Sequence, residues 1–172
     1  MSTEISKEDF ARLVQQHAPQ VLDFTARLLA DRMEAEEVAQ DAFVKAFRQL
    51  SGFRGESSFA TWVQRIAYHE AIDRLRRREP YTVDIGEVAD ATDDDGLATG
   101  SEERIAMMEA AIDELPADDA LLIHLYYYED RPLRDIAYVM DAEPNALAQR
   151  LRRIRQKLLR MIKQKEDEQT DR

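Results

Sequence analysis

The chain has 172 residues, of which 44% are hydrophobic and 34% charged, with a formal net charge of −11 at pH 7. That length suits one medium domain or two small ones, and the absence of cysteine excludes disulfides, thiolate metal sites and thiol catalysis. The polar, acidic start from Met1 to Asp9 has no apolar stretch and no long apolar run follows, so the chain is expected to be soluble and cytoplasmic.

With only five Gly and five Pro, and with Leu, Ala, Glu, Arg and Gln abundant, the composition favours helices over strands. Phe10, Leu13, Val14, Val21, Phe24 and Leu28 recur at helical spacing, and Pro19 is expected to break or kink that run. A second helix is predicted from about Met33 to Leu50, with Val38, Ala42, Phe43, Ala46 and Phe47 on one side. Glu34, Glu36, Glu37 and Asp41 crowd its N-terminal half, where they suit the helix dipole. The breaker Ser51 to Ser58 follows, and Ser57 or Ser58 is a natural N-cap for the next helix. That helix carries Phe59, Trp62, Val63, Ile66, Ile72 and Leu75, and it ends in Arg74 and Arg76-Arg77-Arg78 before Pro80.

Asp90 to Gly100 is acidic and small with little apolar surface to bury, which predicts a flexible linker over residues 81–100. From Asp84 to Asp119 there are 13 acidic residues against one basic, Arg104, a net of −12, so the rest of the chain sums to about +1. The average charge therefore hides basic clusters, and each segment is judged alone. The acidic stretch is either a solvated spacer or a tether that shields basic surfaces. Helical spacing resumes with Ile105, Met108 and Ile112 and stops at Leu115-Pro116. Leu121, Leu122, Leu125 and Tyr126 mark the next helix.

Leu133 to Met140, then Asp141-Ala142-Glu143, then Pro144 onward has the form of a helix-turn-helix, the last helix reaching about Lys163. Pro144 suits the first helical position, where its missing N–H costs nothing. Leu147, Leu151, Ile154 and Leu158 form an apolar stripe. Pro144 to Lys163 also holds seven basic residues and no acidic one. A helix with one buried stripe and that much cation can lie in a major groove between phosphates; the alternative is a bundle helix with a solvated basic face. Trp62 is a candidate stacking residue, but its place beside Phe59, Val63 and Ile66 favours the core, and His17 and His124 are expected to be structural.

Two distant segments together resemble one family. Asp31 to Arg48 is similar to the helix of sigma region 2 that grips the polymerase clamp, and Phe53 to Arg77 is similar to the loop and helix for the minus-10 element. Ile112-Asp113-Glu114-Leu115-Pro116 and the helix-turn-helix resemble region 4, which reads the minus-35 element. No region 1.1 or region 3 is visible, so the resemblance is to the extracytoplasmic-function (ECF) sigma factors. It implies an all-α protein with a region 2-like domain at 1–80, the acidic linker at 81–100 and a region 4-like domain at 101–172. It implies core RNA polymerase, through its β′ clamp and β flap, and promoter DNA, duplex and melted non-template strand, as partners. An anti-sigma factor is implied as well, and neither a cofactor nor a metal.

Carried residue by residue, the resemblance assigns polymerase binding to Glu37, Gln40, Asp41 and Lys45. It assigns minus-10 contacts to Arg54, Ser57, Ser58, Arg65, His69, Arg76 and Arg77, and minus-35 contacts to Asn145, Ala146, Gln149, Arg150, Arg152 and Arg153. The family's turn glycine is Asp141 here, and its usual Thr and basic residue of the recognition helix are Ala146 and Ala148. Two rivals remain: a stand-alone regulator binding duplex DNA as a dimer, and a small helical enzyme. No paired His and carboxylate, nucleophile elbow or phosphate loop supports the second.

Overall fold

The computed structural model describes residues 4–78 and 101–172. The expected linker at 81–100, including Asp90, Asp93, Asp94 and Asp95, lies outside the described residues. Among the described residues there is no strand. The chain divides into two compact units: residues 4–78 with Arg134–Ala142, and residues 101–133 with Glu143–Arg172.

Three long helices build the first unit, α1 (Lys7–Leu28), α2 (Arg32–Arg48) and α3 (Phe59–Arg78). Ser6 caps α1 by accepting from the Asp9 N–H at 3.1 Å, satisfying a donor that the first turn leaves without a helical partner. Of the two outcomes expected at Pro19, a break does not occur: the helix runs through it, with Pro19 on the exposed side and Phe10, Val21 and Phe24 buried on either side of it. The lost backbone bond is outweighed by an apolar face anchored at both ends.

Asp31 caps α2, accepting from the N–H groups of Met33 at 2.8 Å and Glu34 at 3.3 Å. The buried Thr25 hydroxyl on α1 donates to the Ala35 carbonyl at 2.8 Å, tying the two helices together across the turn. Ser58 is the residue that caps α3, accepting from the Thr61 N–H at 3.2 Å. The inner faces of α2 and α3 are rich in alanine: Ala35, Ala39, Ala42 and Ala46 meet a face carrying Ala60, Ala67 and Ala71, all buried. Helix axes separated only by methyl groups approach closely, and Val38 and Val63, fully enclosed, fill the space between. The short α6 (Leu133–Val139), with Ile136, Ala137 and Val139 buried, completes this unit.

The second unit contains α4 (Glu102–Asp113), α5 (Ala117–Ile123), a π-helical turn at His124–Tyr128, and α7 (Pro144–Thr170). Its core is aliphatic, with Leu121, Leu122 and Leu125 beside the stripe Leu147, Leu151, Ile154, Leu158 and Ile162. Helix α7 runs seven residues past its expected end at Lys163. Ile162 is buried, and Lys165 and Glu166 pair with Glu114 (3.2 Å) and Arg104 (3.8 Å) of the α4 region. Ile105, assigned to the apolar pattern of α4, stays 54% exposed.

Trp62 is the only tryptophan and sits on α3, so its fluorescence follows the first unit. Thr25→Val keeps the shape and removes the buried hydroxyl that joins α1 to α2. It is expected to cost about 1 kcal/mol, read as a lower urea midpoint of the Trp62 transition at unchanged slope.

Candidate nucleic-acid and partner interfaces

Helix α2 has a second face. Met33, Glu37, Gln40, Val44 and Phe47 follow at spacings of four, three, four and three, which places them in one line along the helix. Met33 is 79% exposed, Val44 49% and Phe47 44%, while the alanine line on the opposite side is buried. The helical pattern groups Phe47 with Val38, Ala42 and Ala46. It lies one position past Ala46, turned by about 100°, and meets Phe10 edge-on at 5.2 Å between centroids. Phe43, grouped with them as well, is half-buried.

Of the residues assigned to polymerase binding, Gln40 is exposed within this stripe. Glu37 and Asp41 both pair with Arg74 of α3, at 3.2 and 3.3 Å. The hydrogen bond from Arg74, and then its charge, hold the Glu37 carboxyl below its ordinary pKa. Lys45 pairs with Glu70. These three therefore pin α2 to α3 while remaining partly exposed.

The loop before α3 begins with a single 3-10 turn, Leu50–Gly52. Gly55 has φ +72°, a left-handed conformation that favours glycine, and Arg54 beside it is exposed. Ser58 caps α3, and the Ser57 hydroxyl donates to the Ser58 carbonyl at 3.1 Å. The Trp62 ring lies tilted on Phe53 at 4.7 Å and edge-on to Phe59 at 6.1 Å. Trp62 is therefore half core, as its neighbours in sequence predicted, and half wall of an open recess of about 330 Å³ lined also by Gly52, Phe53, Arg54, Glu56 and Tyr138. Further along α3, Arg65 donates to the Tyr138 carbonyl and to Asp141, both at 3.0 Å, and His69 lies 3.6 Å from Asp141. Arg76 and Arg77 are exposed at the helix end.

In the second unit the exposed side of α7 opposes its buried stripe. Asn145, Ala146, Ala148 and Gln149 are exposed and Arg152 and Arg153 half-buried, around the N-terminal three turns. Arg150 is placed differently. Lying three residues after Leu147 and four before Ile154, it flanks the core and reaches Asp118 at 2.5 Å and Asp119 at 2.6 Å on α5. Burial opposes its charge, but Asp118 and Asp119 outweigh that and raise its pKa. Burial likewise holds Asp119 above its ordinary value despite Arg150. In chain order α6, a four-residue turn and α7 follow as a helix-turn-helix requires. Asp141, in the turn, has φ +51°, which explains why glycine suits this position and why Asp, which tolerates that conformation, can replace it. His17 is half-buried against Phe59, and His124 is stacked on Tyr128 in the π turn, which sequence periodicity did not anticipate.

Among the described residues no group of three or more His, Asp or Glu side chains could hold a metal ion, and no helix is long and apolar enough to cross a membrane. Replacing Arg150 with Gln leaves two carboxylates without their cation. The expected loss is about 1–3 kcal/mol of stability, discounted for partial exposure, seen as a lower midpoint of the far-ultraviolet circular dichroism transition.

Comparison with known proteins matches both halves. The sigma-70 region 2 family covers residues 13–80, and the sigma-70 region 4 family covers residues 105–158. The RNA polymerase sigma-H factor of Pseudomonas aeruginosa is 33% identical over 87% of this chain and 84% of its own length. The ECF RNA polymerase sigma-E factor of Haemophilus influenzae is 30% identical over 87% and 85%. The fold matches the sigma factor RpoE of Bartonella quintana, solved with the anti-sigma factor NepR, with TM-score 0.63 at 21% identity over 91% of this chain and 98% of that one. It also matches CnrH, solved with the cytosolic domain of CnrY, with TM-score 0.61 at 20% identity over 92% and 90%. Two region matches in the right order, and a third of the residues shared across nearly the full length of a curated relative, show that the chain belongs to the ECF family of RNA polymerase sigma factors.

Proposed function

We propose that this sigma factor binds core RNA polymerase through the outer stripe of α2 and recognises promoters with two separate surfaces. Region 2, residues 1–80, takes the melted minus-10 element, and region 4, residues 101–172, reads the minus-35 element. The observation that carries the first assignment is the exposed line of Met33, Gln40, Val44 and Phe47 on a helix whose other side is fully packed. Apolar side chains left outside at helical spacing fit a helix-on-helix partner contact. The partner is the β′ clamp, and Glu37, Asp41 and Lys45 frame the contact with charge. The β flap serves as the contact for region 4.

At minus 10, the loop with Gly55 at positive φ lets backbone come close to a base, and the recess walled by Phe53 and Trp62 offers an aromatic surface for stacking it. Arg54 and Ser57 supply hydrogen bonds there, Ser58 orients the start of α3, and Arg65, His69, Arg76 and Arg77 follow the strand. An unpaired base is available only in opened duplex, so binding it favours the melted state. At minus 35, Asn145 and Gln149 read base edges, Ala146 allows close approach, and Arg152 and Arg153 hold phosphate or guanine. Arg150 acts by fixing α7 to α5. The protein works in the cytoplasm with the polymerase, by binding and not by bond chemistry. Its solved neighbours RpoE and CnrH, which carry an anti-sigma factor and a cytosolic domain respectively, support control by an anti-sigma factor here.

Two measurements test these surfaces. Val44→Glu places charge on the stripe and is expected to weaken core polymerase binding about tenfold or more with unchanged helicity; undiminished binding by the folded variant removes the interface. On minus-35 duplex, Gln149→Ala should relax base preference at one position by about 1–3 kcal/mol, while Arg153→Ala should lower the salt slope by about one if it touches phosphate. Transcription in vitro with core polymerase on a promoter library checks the whole reading: no polymerase-dependent initiation would overturn it.

A further inference from the structure

At the N-terminal end of α2 the outer stripe runs into a recess of about 480 Å³ between α2 and the last turns of α3. Asp31, Glu34, Glu36 and Glu37 line it from α2, and Arg74 and Arg78 from α3, so four carboxylates meet two guanidiniums. Met33 and Gln40 of the stripe also line it, which makes it continuous with the proposed docking face. Arg74 is already divided among Glu37, Asp41 and, at 3.8 Å, Glu34.

Glu34 is the unusual member. Its side chain is 8% exposed, and Arg78 reaches only one of its oxygens, Oε1, at 2.6 Å. The other, Oε2, is buried without a hydrogen-bond partner. The position of Glu34 in the first turn of α2 and its bond to Arg78 account for a carboxylate here. They do not account for a buried acceptor left unsatisfied, which carries a cost that a native fold seldom tolerates. Arg78 reaches Glu34 from the last turn of α3 with its own side chain 60% exposed.

We propose that this recess receives a basic side chain, an arginine, of the polymerase subunit on which α2 docks, and that the incoming guanidinium displaces Arg78 and bonds both oxygens of Glu34. The inference rests on the reading of α2 as the polymerase-binding face. The net negative charge selects a cation, and two parallel N–H donors match the two carboxylate oxygens as an ammonium cannot. The exchange satisfies Oε2 and replaces the single bond from Arg78 with two parallel ones, so the buried carboxylate is never left without a cation. Arg78, once released, joins Arg76 and Arg77 at the basic end of α3.

The test measures the affinity of the full chain for core RNA polymerase with Glu34→Gln, Arg78→Gln and Val44→Glu. Glu34→Gln keeps the volume and removes the charge, and is expected to weaken binding about tenfold or more. Arg78→Gln removes the internal competitor and is expected to tighten binding several-fold. Unchanged affinity for Glu34→Gln, with Val44→Glu weakened, would overturn the recess and leave the docking face standing. Full affinity for Val44→Glu would overturn the docking face itself. Should circular dichroism show that Glu34→Gln is misfolded, the exposed Arg78→Gln decides: equal or weaker binding than the parent overturns the exchange.

Discussion

The close approach of α2 to α3 governs the first unit. A helix lined by Ala35, Ala39, Ala42 and Ala46 can come near enough to bury Val38 and Val63 completely, but it offers little apolar area per turn. Met33, Val44 and Phe47 fall on the other side of the helix and are left outside. One side of the helix thus carries a buried alanine line and the other an exposed apolar stripe.

Arginines set the register of the helices at two points. Arg74 gathers Glu37 and Asp41 from α2 onto α3, and Arg150 gathers Asp118 and Asp119 from α5 onto α7. The two sites differ in solvation. Glu37 is well exposed, so its pairing to Arg74 is screened and exchangeable. The carboxylates around Arg150 are largely enclosed, so losing that cation would leave buried charge uncompensated. The first network can therefore serve an interface, while the second serves the fold.

The acidic average of the chain says little about its surfaces. Part of the acidic run, from residue 101 onward, lies on α4 and α5, where Asp118 and Asp119 neutralise Arg150 and Glu114 pairs with Lys165. Acid spent on internal pairing leaves the N-terminal turns of α7 with exposed amides, half-buried arginines and no carboxylate among residues 144–163. A protein of net charge −11 can in this way keep a locally cationic helix for nucleic acid.

Periodicity, capping residues and breakers were enough to place seven helices, to put the cap of α3 at Ser57 or Ser58, and to identify the stripe Leu147, Leu151, Ile154 and Leu158. These are local properties, since a helix start needs an acceptor for its free N–H groups and a buried face needs a repeat near 3.6. Which of two apolar lines on α2 faces inward was decided only by tertiary packing, because Phe47 and Ala46 are both acceptable core residues and only the neighbouring α3 selects the small one. Tertiary contact also decided that Pro19 lies within a continuous helix and that α7 extends to Thr170. It set Arg150 apart as well: three arginines in one basic segment are alike in sequence, but the helix turns the first onto Asp118 and Asp119 of α5. Charge can be counted along a chain, whereas the partner of each charge is fixed by the helix that packs beside it.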